Sequence, residues 1–242
     1  MAGEAILRID AVVKRFGGFT ALDNINLQVT HGERLGLIGP NGSGKTTLIN
    51  CISGALIADE GRVIFEDSDI TKLPAHQRTK NGIARSFQIP RPFGSMTVAE
   101  NIAIPLEYTE RRSSSKRDLL DEAYEILALM GLEQLADTNA SALTQIELRK
   151  LELARAMACH PKLLISDEAM AGLSGNEIDE ILEILFRVNE RGVAIIMIEH
   201  IMRAVMGFSE RIAVLDAGQK IADGAPNEIM NNPDVERAYL GE

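Results

Sequence analysis

Two kinds of apolar pattern along the chain predict strands of different environments. Ile25, Leu27 and Val29 alternate with polar residues, which is typical of a strand with one buried face in an antiparallel sheet. Residues 34–38 are shorter and more continuously apolar, which predicts a buried central strand. Similar short segments predict further strands, at residues 63–65, 162–166, 193–198 and 211–215.

A helical period replaces the strand pattern from residue 90 to residue 160. Thr97 and Glu100 have the spacing of a capping box at the start of a helix. Residues 110–117 are polar and charged, and we expect a solvated loop there. Apolar residues then recur on one side of an amphipathic helix, namely Leu119, Leu120, Ala123, Ile126 and Leu127.

This helical region interrupts an α/β core. Residues 45–53 and 177–191 predict helices beside the strands, and Asn232 with Pro233 supplies the cap and first turn of a last short helix. We therefore expect a single domain over residues 1–242. Its predicted parts are an α/β core at residues 1–88 and 161–242 and a helical subdomain at residues 89–160.

Composition and charge exclude several classes of protein. The chain has 242 residues, of which 45% are hydrophobic and 25% charged, as in ordinary globular proteins. The net charge of −10 argues against nucleic acid as a partner. Cys51 and Cys159 are far apart and predict no disulfide or zinc site, which fits a reducing cytoplasm. The longest apolar segment, residues 193–198, is far below the ~20 residues of a membrane span, so any membrane role is peripheral.

A glycine-rich segment lies between the strand predicted at residues 34–38 and the helix predicted at 45–53. It contains the pattern G-x-x-x-x-G-K-T of a P-loop. Glycines let backbone N–H groups surround phosphate oxygens, and a helix N-terminus favours anions. Lys45 suits the β- and γ-phosphates, and the Thr46 hydroxyl suits Mg²⁺. The expected nucleotide-binding residues are Gly39, Pro40, Asn41, Gly42, Ser43, Gly44, Lys45, Thr46 and Thr47.

A second motif, Asp167–Glu168, follows the strand predicted at residues 162–166. Ligands of parallel sheets bind at the C-terminal edge of the strands, where these carboxylates are expected. Asp167 suits Mg²⁺ bound through water, and Glu168 suits the polarisation of an attacking water. Together with the P-loop, this pair predicts a nucleoside triphosphatase.

With these motifs the sequence resembles the nucleotide-binding domain of an ABC transporter over essentially its full length. Six elements stand in the order of that family. The resemblance implies an α/β P-loop NTPase (RecA-like) core with an antiparallel β subdomain and an inserted helical subdomain. It also implies ATPase activity with ATP and Mg²⁺ as cofactors.

The resemblance assigns roles to individual residues. Phe16 stands where the family has an aromatic that stacks on adenine, although the nearby Phe19 is the alternative. Gln88 corresponds to the glutamine that senses Mg²⁺ and the γ-phosphate, and His200 to the γ-phosphate switch. The implied catalytic residues are Glu168, His200 and Gln88. The implied Mg²⁺ ligands are Thr46, Gln88 and Asp167.

Three segments resemble a narrower group, one of the two ATPases of branched-chain amino acid importers, whose relatives move urea or short amides. They are residues 39–44, 82–88 and 199–242. The resemblance implies transmembrane permease subunits as partners and a peripheral position on the cytoplasmic face of the inner (plasma) membrane. The segment after Gln88 is expected to face the membrane subunit.

The chain departs from the family at its signature motif, Leu-Ser-Gly-Gly-Gln or Leu-Ser-Tyr-Gly-Gln. Here residues 143–147 read Leu-Thr-Gln-Ile-Glu. In the family this motif lies at a helix N-terminus and touches the ATP held by the opposite subunit. Thr144 keeps a hydroxyl at the position of the family's serine and is the candidate residue for a contact with that ATP. Ile146 replaces a glycine that approaches the γ-phosphate, and Glu147 adds a negative charge. The spacing of Thr144 and Glu147 still predicts a capping box, so we expect the helix without the phosphate contact.

This departure favours a heterodimer with a second ATPase subunit whose signature is intact, although a homodimer is possible. The alternatives are a non-transport ABC ATPase and a regulatory ABC-type subunit with weak turnover. The first usually has a coiled-coil insertion or tandem cassettes, and this chain has neither. A P-loop kinase gives residues 143–156 no role, and the base-specificity motif of GTPases is absent from the sequence.

Overall fold

A computed structural model of the protein describes residues 4–109 and 116–240. The strands are β1 (Ala5–Phe16), β2 (Phe19–Thr30), β3 (Arg34–Ile38), β4 (Glu60–Phe65), β5 (Ser68–Asp69), β6 (Ile83–Ser86), β7 (Leu163–Asp167), β8 (Ala194–Ile198), β9 (Arg211–Asp216) and β10 (Gln219–Gly224). The helices are α1 (Lys45–Ser53), α2 (Ala75–Asn81), α3 (Val98–Thr109), α4 (Lys116–Met130), α5 (Gln145–Met157), α6 (Gly175–Glu190), α7 (Met202–Phe208), α8 (Pro226–Met230) and α9 (Pro233–Leu240). Short 3₁₀ turns lie at Glu133–Leu135 and Ala140–Ala142. Within the described part of the chain, none of the helices has both the length and the apolar character that a bilayer span requires.

The described strands form two sheets. One has the order β10-β9-β3-β8-β7-β6, and its strands are parallel except for β10, which pairs antiparallel with β9. The other is antiparallel and has the order β2-β1-β4-β5. Ile25, Leu27 and Val29 are buried along β2, so the strand predicted from their alternation is confirmed.

The parallel sheet is buried on both faces, as β8 shows. Ala194, Ile196 and Ile198 pack into the apolar cluster that β1, β2 and α1 cover. Ile195 and Met197 pack into the cluster on the opposite face, which α3, α4, α5 and α6 cover. Burial on both faces explains why this strand is continuously apolar, whereas β2 alternates.

Most of the predicted elements are confirmed. One predicted buried residue is exposed, and most of one predicted loop lies outside the described residues. β3 and α1 have the predicted bounds, and Thr97 and Glu100 form the predicted capping box. Leu120, which was expected on the buried side of its helix, is 47% exposed, so that prediction is wrong. Of the loop predicted at residues 110–117, residues 110–115 lie outside the described part of the chain, and the last two belong to α4. The exact subdomain limits stay a prediction.

Arg78, in α2, is a fully buried cation that holds the end of the P-loop helix α1. Its guanidinium donates to the carbonyls of Cys51 (2.5 Å) and Ile52 (2.9 Å) in the last turn of α1. It also donates to the carbonyls of Leu73 (2.8 Å) and Thr71 (2.9 Å). Burial lowers the pKa of Arg78. The positive charge of Arg78 interacts favourably with the negative, C-terminal end of the α1 dipole, and its N–H groups satisfy two of the last carbonyls of the helix.

We expect Arg78→Met to lower the free energy of unfolding by about 3 kcal/mol, because it leaves several buried carbonyls without a donor. The exposed Arg62→Met is the matched control, since its ion pair with Asp10 (3.4 Å) lies at the surface. Denaturant unfolding followed by circular dichroism measures both variants. A loss for Arg78→Met no larger than that of the control would contradict the structural role.

Candidate active site

The P-loop, residues 39–47, joins the C-terminal end of β3 to α1, where glycine is required at two positions. Gly44 has a φ of +103°, and a Cβ there would lie 2.7 Å from the carbonyl oxygen of Ala21. Gly39 has a φ of +149°, and its Cβ would lie 2.1 Å from the carbonyl oxygen of Leu215. The loop thus has the tight, inward-facing backbone that a phosphate cradle needs.

Lys45 is folded back onto this loop. Its Nζ donates to the carbonyls of Gly39 (2.7 Å) and Pro40 (2.9 Å) and lies 3.5 Å from the Ser43 hydroxyl. Burial lowers the pKa of Lys45, while the nearby carboxylate of Glu168 raises it. A cation held this way is ready to exchange backbone carbonyls for phosphate oxygens.

One cavity of about 340 Å³ brings most of the predicted nucleotide residues together. Phe16 and Phe19, at the turn between β1 and β2, line it and are 48% and 63% exposed. Both rings border the cavity, so the choice between them as base-stacking residue stays open. The other lining residues are Ala21, Asn41, Gly42, Ser43, Gly44, Lys45, Thr46, Thr47, Glu168 and His200.

The three predicted catalytic side chains meet at the end of β7. Glu168 has a φ of +48°, and its backbone N–H donates to the carbonyl of Ile198 at 2.9 Å. One carboxylate oxygen accepts a hydrogen bond from Gln88 Nε2. The other lies 2.9 Å from His200 Nε2. Glu168 is therefore a carboxylate oriented from both sides at the edge of the cavity.

Asp167 lies beside this group but is paired with an arginine. Its Oδ2 accepts from Arg85 Nη2 at 2.6 Å, and the two side chains are only 13% and 12% exposed. Arg85 Nη1 also donates to Asn50 Oδ1 at 2.7 Å. Sequence reasoning missed this pair, because the pattern of residues 83–86 did not indicate a strand and so gave no sign that Arg85 is buried.

Arg149 is a second residue that sequence reasoning missed. It is buried in α5 and donates to the backbone carbonyls of Gln88 and Ala171, the latter at 3.1 Å. Burial lowers its pKa. The side chain thus ties the segment that carries Gln88 to the loop that follows Glu168.

The signature region forms the predicted capped helix. Thr144 is the N-cap of α5, and the capping box with Glu147 is confirmed. Thr144 does not line the cavity of its own chain within the described residues. Ile146 is partly buried against the helical cluster, and the Gln145 amide nitrogen lies 2.9 Å from the position of a Cβ on Gly172. The predicted crowding of a phosphate by Ile146 stays a prediction.

Glu199 is a buried carboxyl group directly before His200. Burial raises its pKa, the N–H of Met170 lowers it by donating to Oε1 at 2.8 Å, and nearby Glu168 raises it. The positive charge of Arg149 is close enough to Glu199 for the two groups to attract each other electrostatically. The native state therefore keeps this proton to higher pH than the unfolded chain does.

A raised native pKa makes stability fall as the pH rises above the ordinary value of about 4.5. We expect Glu199→Gln, which keeps the acceptor for Met170, to gain in stability relative to the parent chain as the pH rises from about 4.5 to 7. Unfolding titrations across this range measure it. The exposed Glu183→Gln in α6 is the control, and equal pH profiles for the two variants would contradict the effect.

The site has the donor set that Mg²⁺ uses beside a nucleotide. Among residues 4–109 and 116–240, no group of three or more His, Cys, Asp or Glu side chains is placed so that it could hold a metal ion. Mg²⁺ in nucleotide sites is instead held by few protein ligands together with phosphates and waters. Thr46 lines the cavity, whereas Gln88 and Asp167 are not among its described lining residues. Gln88 contacts Glu168 and Asp167 pairs with Arg85, so the three have suitable oxygen donors, and their role as Mg²⁺ ligands stays a prediction.

Comparison with known families gives two matches. The family model described as "ABC transporter" matches residues 22–171. The model described as "Branched-chain amino acid ATP-binding cassette transporter" matches residues 219–242. The first range contains the P-loop and the Asp167–Glu168 pair, and the second lies at the C-terminal end, whereas Phe16 and His200 lie outside both ranges.

Individual relatives agree with these matches. The chain is 38% identical to the high-affinity branched-chain amino acid transport ATP-binding protein LivG of Escherichia coli K12, over 99% of each chain. An ATP-binding cassette of an ABC transporter, solved in its ADP conformation, is 35% identical, with a TM-score of 0.89 over 99% of this chain and 100% of that one. A dimeric cassette bound to ADP and Pi is 27% identical, with a TM-score of 0.82 over 91% and 98%.

Proposed function

Because the chain belongs to the ABC transporter ATP-binding family, we propose that it powers an importer of branched-chain amino acids or related small solutes. It is an ATPase of this family with the family's fold. The observation that carries the proposal is the cavity that brings together residues 41–47 of the P-loop, Phe16, Phe19, Glu168 and His200. The similarity to LivG over almost the whole chain supports the class of solute.

ATP is held by its two ends. The P-loop surrounds the phosphates with backbone N–H groups at the start of α1, and Lys45 turns from the carbonyls of its own loop to the β- and γ-phosphates. Phe16 or Phe19 stacks on the adenine at the other end of the cavity.

Hydrolysis requires a water placed in line with the γ-phosphate. Glu168 orients this water and takes its proton as the oxygen–phosphorus bond forms and the bond to the β-phosphate oxygen breaks. Gln88 and His200 hold the carboxylate in place, and His200 donates toward the γ-phosphate. Their contacts with Glu168 support these roles.

Mg²⁺ neutralises phosphate charge when it is bound beside ATP. Thr46, Gln88 and Asp167 are the residues that would hold it. This assignment rests on the match of their oxygen donors to Mg²⁺ chemistry.

Cassettes of this family dimerise and act with membrane permease subunits, to which they are peripheral. We propose that this chain pairs with a second ATPase whose signature is intact. The signature of such a partner would complete the site on this chain's P-loop. Ile146 and Glu147 of this chain would leave the partner's site impaired, because a branched side chain and a carboxylate oppose approach of a polyanion.

The permease docks, on our proposal, at the groove between the core and the helical region. A cavity of about 280 Å³ lies there between α2, β6 and α5. Phe87, Ile89 and Phe93 are exposed beside it, Ile89 at 66%. Exposed apolar side chains in one segment are typical of a protein interface. This docking would place the chain at the cytoplasmic face of the membrane.

The competing function considered from the sequence is that of a regulatory cassette with weak turnover, which would follow if the altered signature prevented hydrolysis. The two functions differ in whether ATP is hydrolysed at this chain's own P-loop when the partner ATPase is present. We expect negligible Mg²⁺-dependent ATP hydrolysis by the chain alone and a rise when a partner ATPase and the permease are added. Absence of hydrolysis on this chain's own P-loop in that complex, tested with Lys45→Ala in this chain only, would favour the regulatory function.

A further inference from the structure

Arg85 connects three parts of the molecule through one guanidinium group. Nη2 pairs with Asp167 at the end of β7 (2.6 Å), and Nη1 donates to Asn50 in the P-loop helix α1 (2.7 Å). The guanidinium carbon Cζ lies over the ring of Phe87, 5.3 Å from its centroid. Only arginine has the planar, forked geometry that makes these contacts together.

The same side chain lines the docking cavity. Arg85 and Phe87 both form part of its wall, together with residues of α2 and α5. Phe87 is about half exposed, so a helix entering the cavity would press on a ring that already contacts Arg85. Arg85 Nε has no hydrogen-bond acceptor among the described residues, so Nη1 and Nη2 alone anchor the group.

We propose that Arg85 is a positioning residue that couples occupation of the docking cavity to the carboxylate of Asp167. The inference rests on the proposed function, since it needs both a docked permease and an Asp167 that holds Mg²⁺. In the undocked chain Arg85 fixes Oδ2 of Asp167 and ties it to α1. A docked helix shifts Phe87 and with it Arg85, which re-aims the carboxylate beside the P-loop.

Three variants separate the effect of the positive charge of Arg85 from the effect of its simultaneous contacts with Asp167 and Asn50. Arg85→Lys keeps a cation for Asp167 and loses the simultaneous contact with Asn50. Asn50→Ala keeps the ion pair and removes only the anchor on α1. Arg85→Gln removes the charge, and Arg62→Gln on β4 is the surface control. Thermal unfolding of each shows whether it folds, and if Arg85→Gln does not, the other two carry the test.

Each variant is measured as the isolated chain and in the complex with permease and partner ATPase. The readouts are binding of a fluorescent ATP analogue without Mg²⁺, the Mg²⁺ concentration that gives half-maximal hydrolysis, and the stimulation by permease. For Arg85→Lys we expect binding within about twofold of the parent, a Mg²⁺ requirement raised about fivefold, and stimulation reduced about tenfold. Asn50→Ala should change the Mg²⁺ requirement and the stimulation by permease in the same direction, but by smaller factors.

Two failures are distinguishable. If the parent complex does not hydrolyse ATP with Mg²⁺, the proposed function fails. If the parent is stimulated and Arg85→Lys and Asn50→Ala keep its Mg²⁺ requirement and its stimulation, the role of Arg85 is overturned. Lower thermal stability with both readouts unchanged would also overturn it, because that result assigns Arg85 to the fold alone.

Discussion

We expect Glu168→Gln to lower ATP hydrolysis by about 10³-fold, which is within the usual range for loss of a general base. The side chain keeps its shape and its contacts near Gln88 and His200, but it no longer takes a proton from water. ATP affinity stays within about threefold, because the P-loop and Lys45 hold the phosphates and the lost interaction acts only in the transition state. Steady-state hydrolysis and binding of a fluorescent ATP analogue measure the two effects.

The exposed Glu183→Gln in α6 is the matched control for this substitution and should leave both quantities unchanged. The measurement is made in the complex that hydrolyses ATP, with the substitution in this chain only. Retention of more than about a tenth of the parent rate would mean that another group activates the water. A large loss of ATP affinity would instead place Glu168 in the binding of the ground state.

Replacement of residues 144–147 by Ser-Gly-Gly-Gln is expected to raise hydrolysis by the isolated chain about 10²-fold, provided that it dimerises with itself. Glycine at position 146 removes a branched side chain from the approach to the phosphate, and glutamine at 147 removes a negative charge. A restored backbone donor at a phosphate is worth about 10² in rate. The helix persists because serine and glutamine also form a capping box, as Thr144 and Glu147 do here.

Thr144→Ser alone is the control, since it keeps the cap and leaves Ile146 and Glu147 in place. ATP hydrolysis is measured at high protein concentration, where dimers are favoured by mass action. Full activity of the parent chain alone, abolished by Glu168→Gln, would contradict the prediction. In that case the sequence Thr-Gln-Ile-Glu would itself be a working signature, and the partly buried position of Ile146 would explain how.

The elements whose signals are local could be predicted from the sequence. β3 and α1 were predicted with their observed bounds because a buried strand, a glycine-rich turn and a helix follow each other directly. The capping box of Thr144 was predicted because both partners lie within one turn. The meeting of Gln88 with Glu168 was expected only through family resemblance, since the two are far apart in sequence.

Contacts that depend on tertiary packing could not be predicted. β6 is short and contains Arg85, so its pattern was not apolar enough to indicate a strand. The partner of Arg85 is set by the pairing of β6 with β7 in the sheet, which no local pattern contains. Leu120 has the spacing of a core residue, but its exposure depends on how wide the buried face of α4 is.

The side chains that line the nucleotide cavity bear on which nucleotide base the chain prefers. Outside the P-loop and the catalytic pair, the described lining residues are Phe16, Phe19 and Ala21. An aromatic ring stacks on any purine, and these three side chains have no group that reads the edge of a base. We therefore expect this wall to contribute little to discrimination between ATP and GTP, which leaves the protein's preference for ATP to depend on groups outside these three side chains.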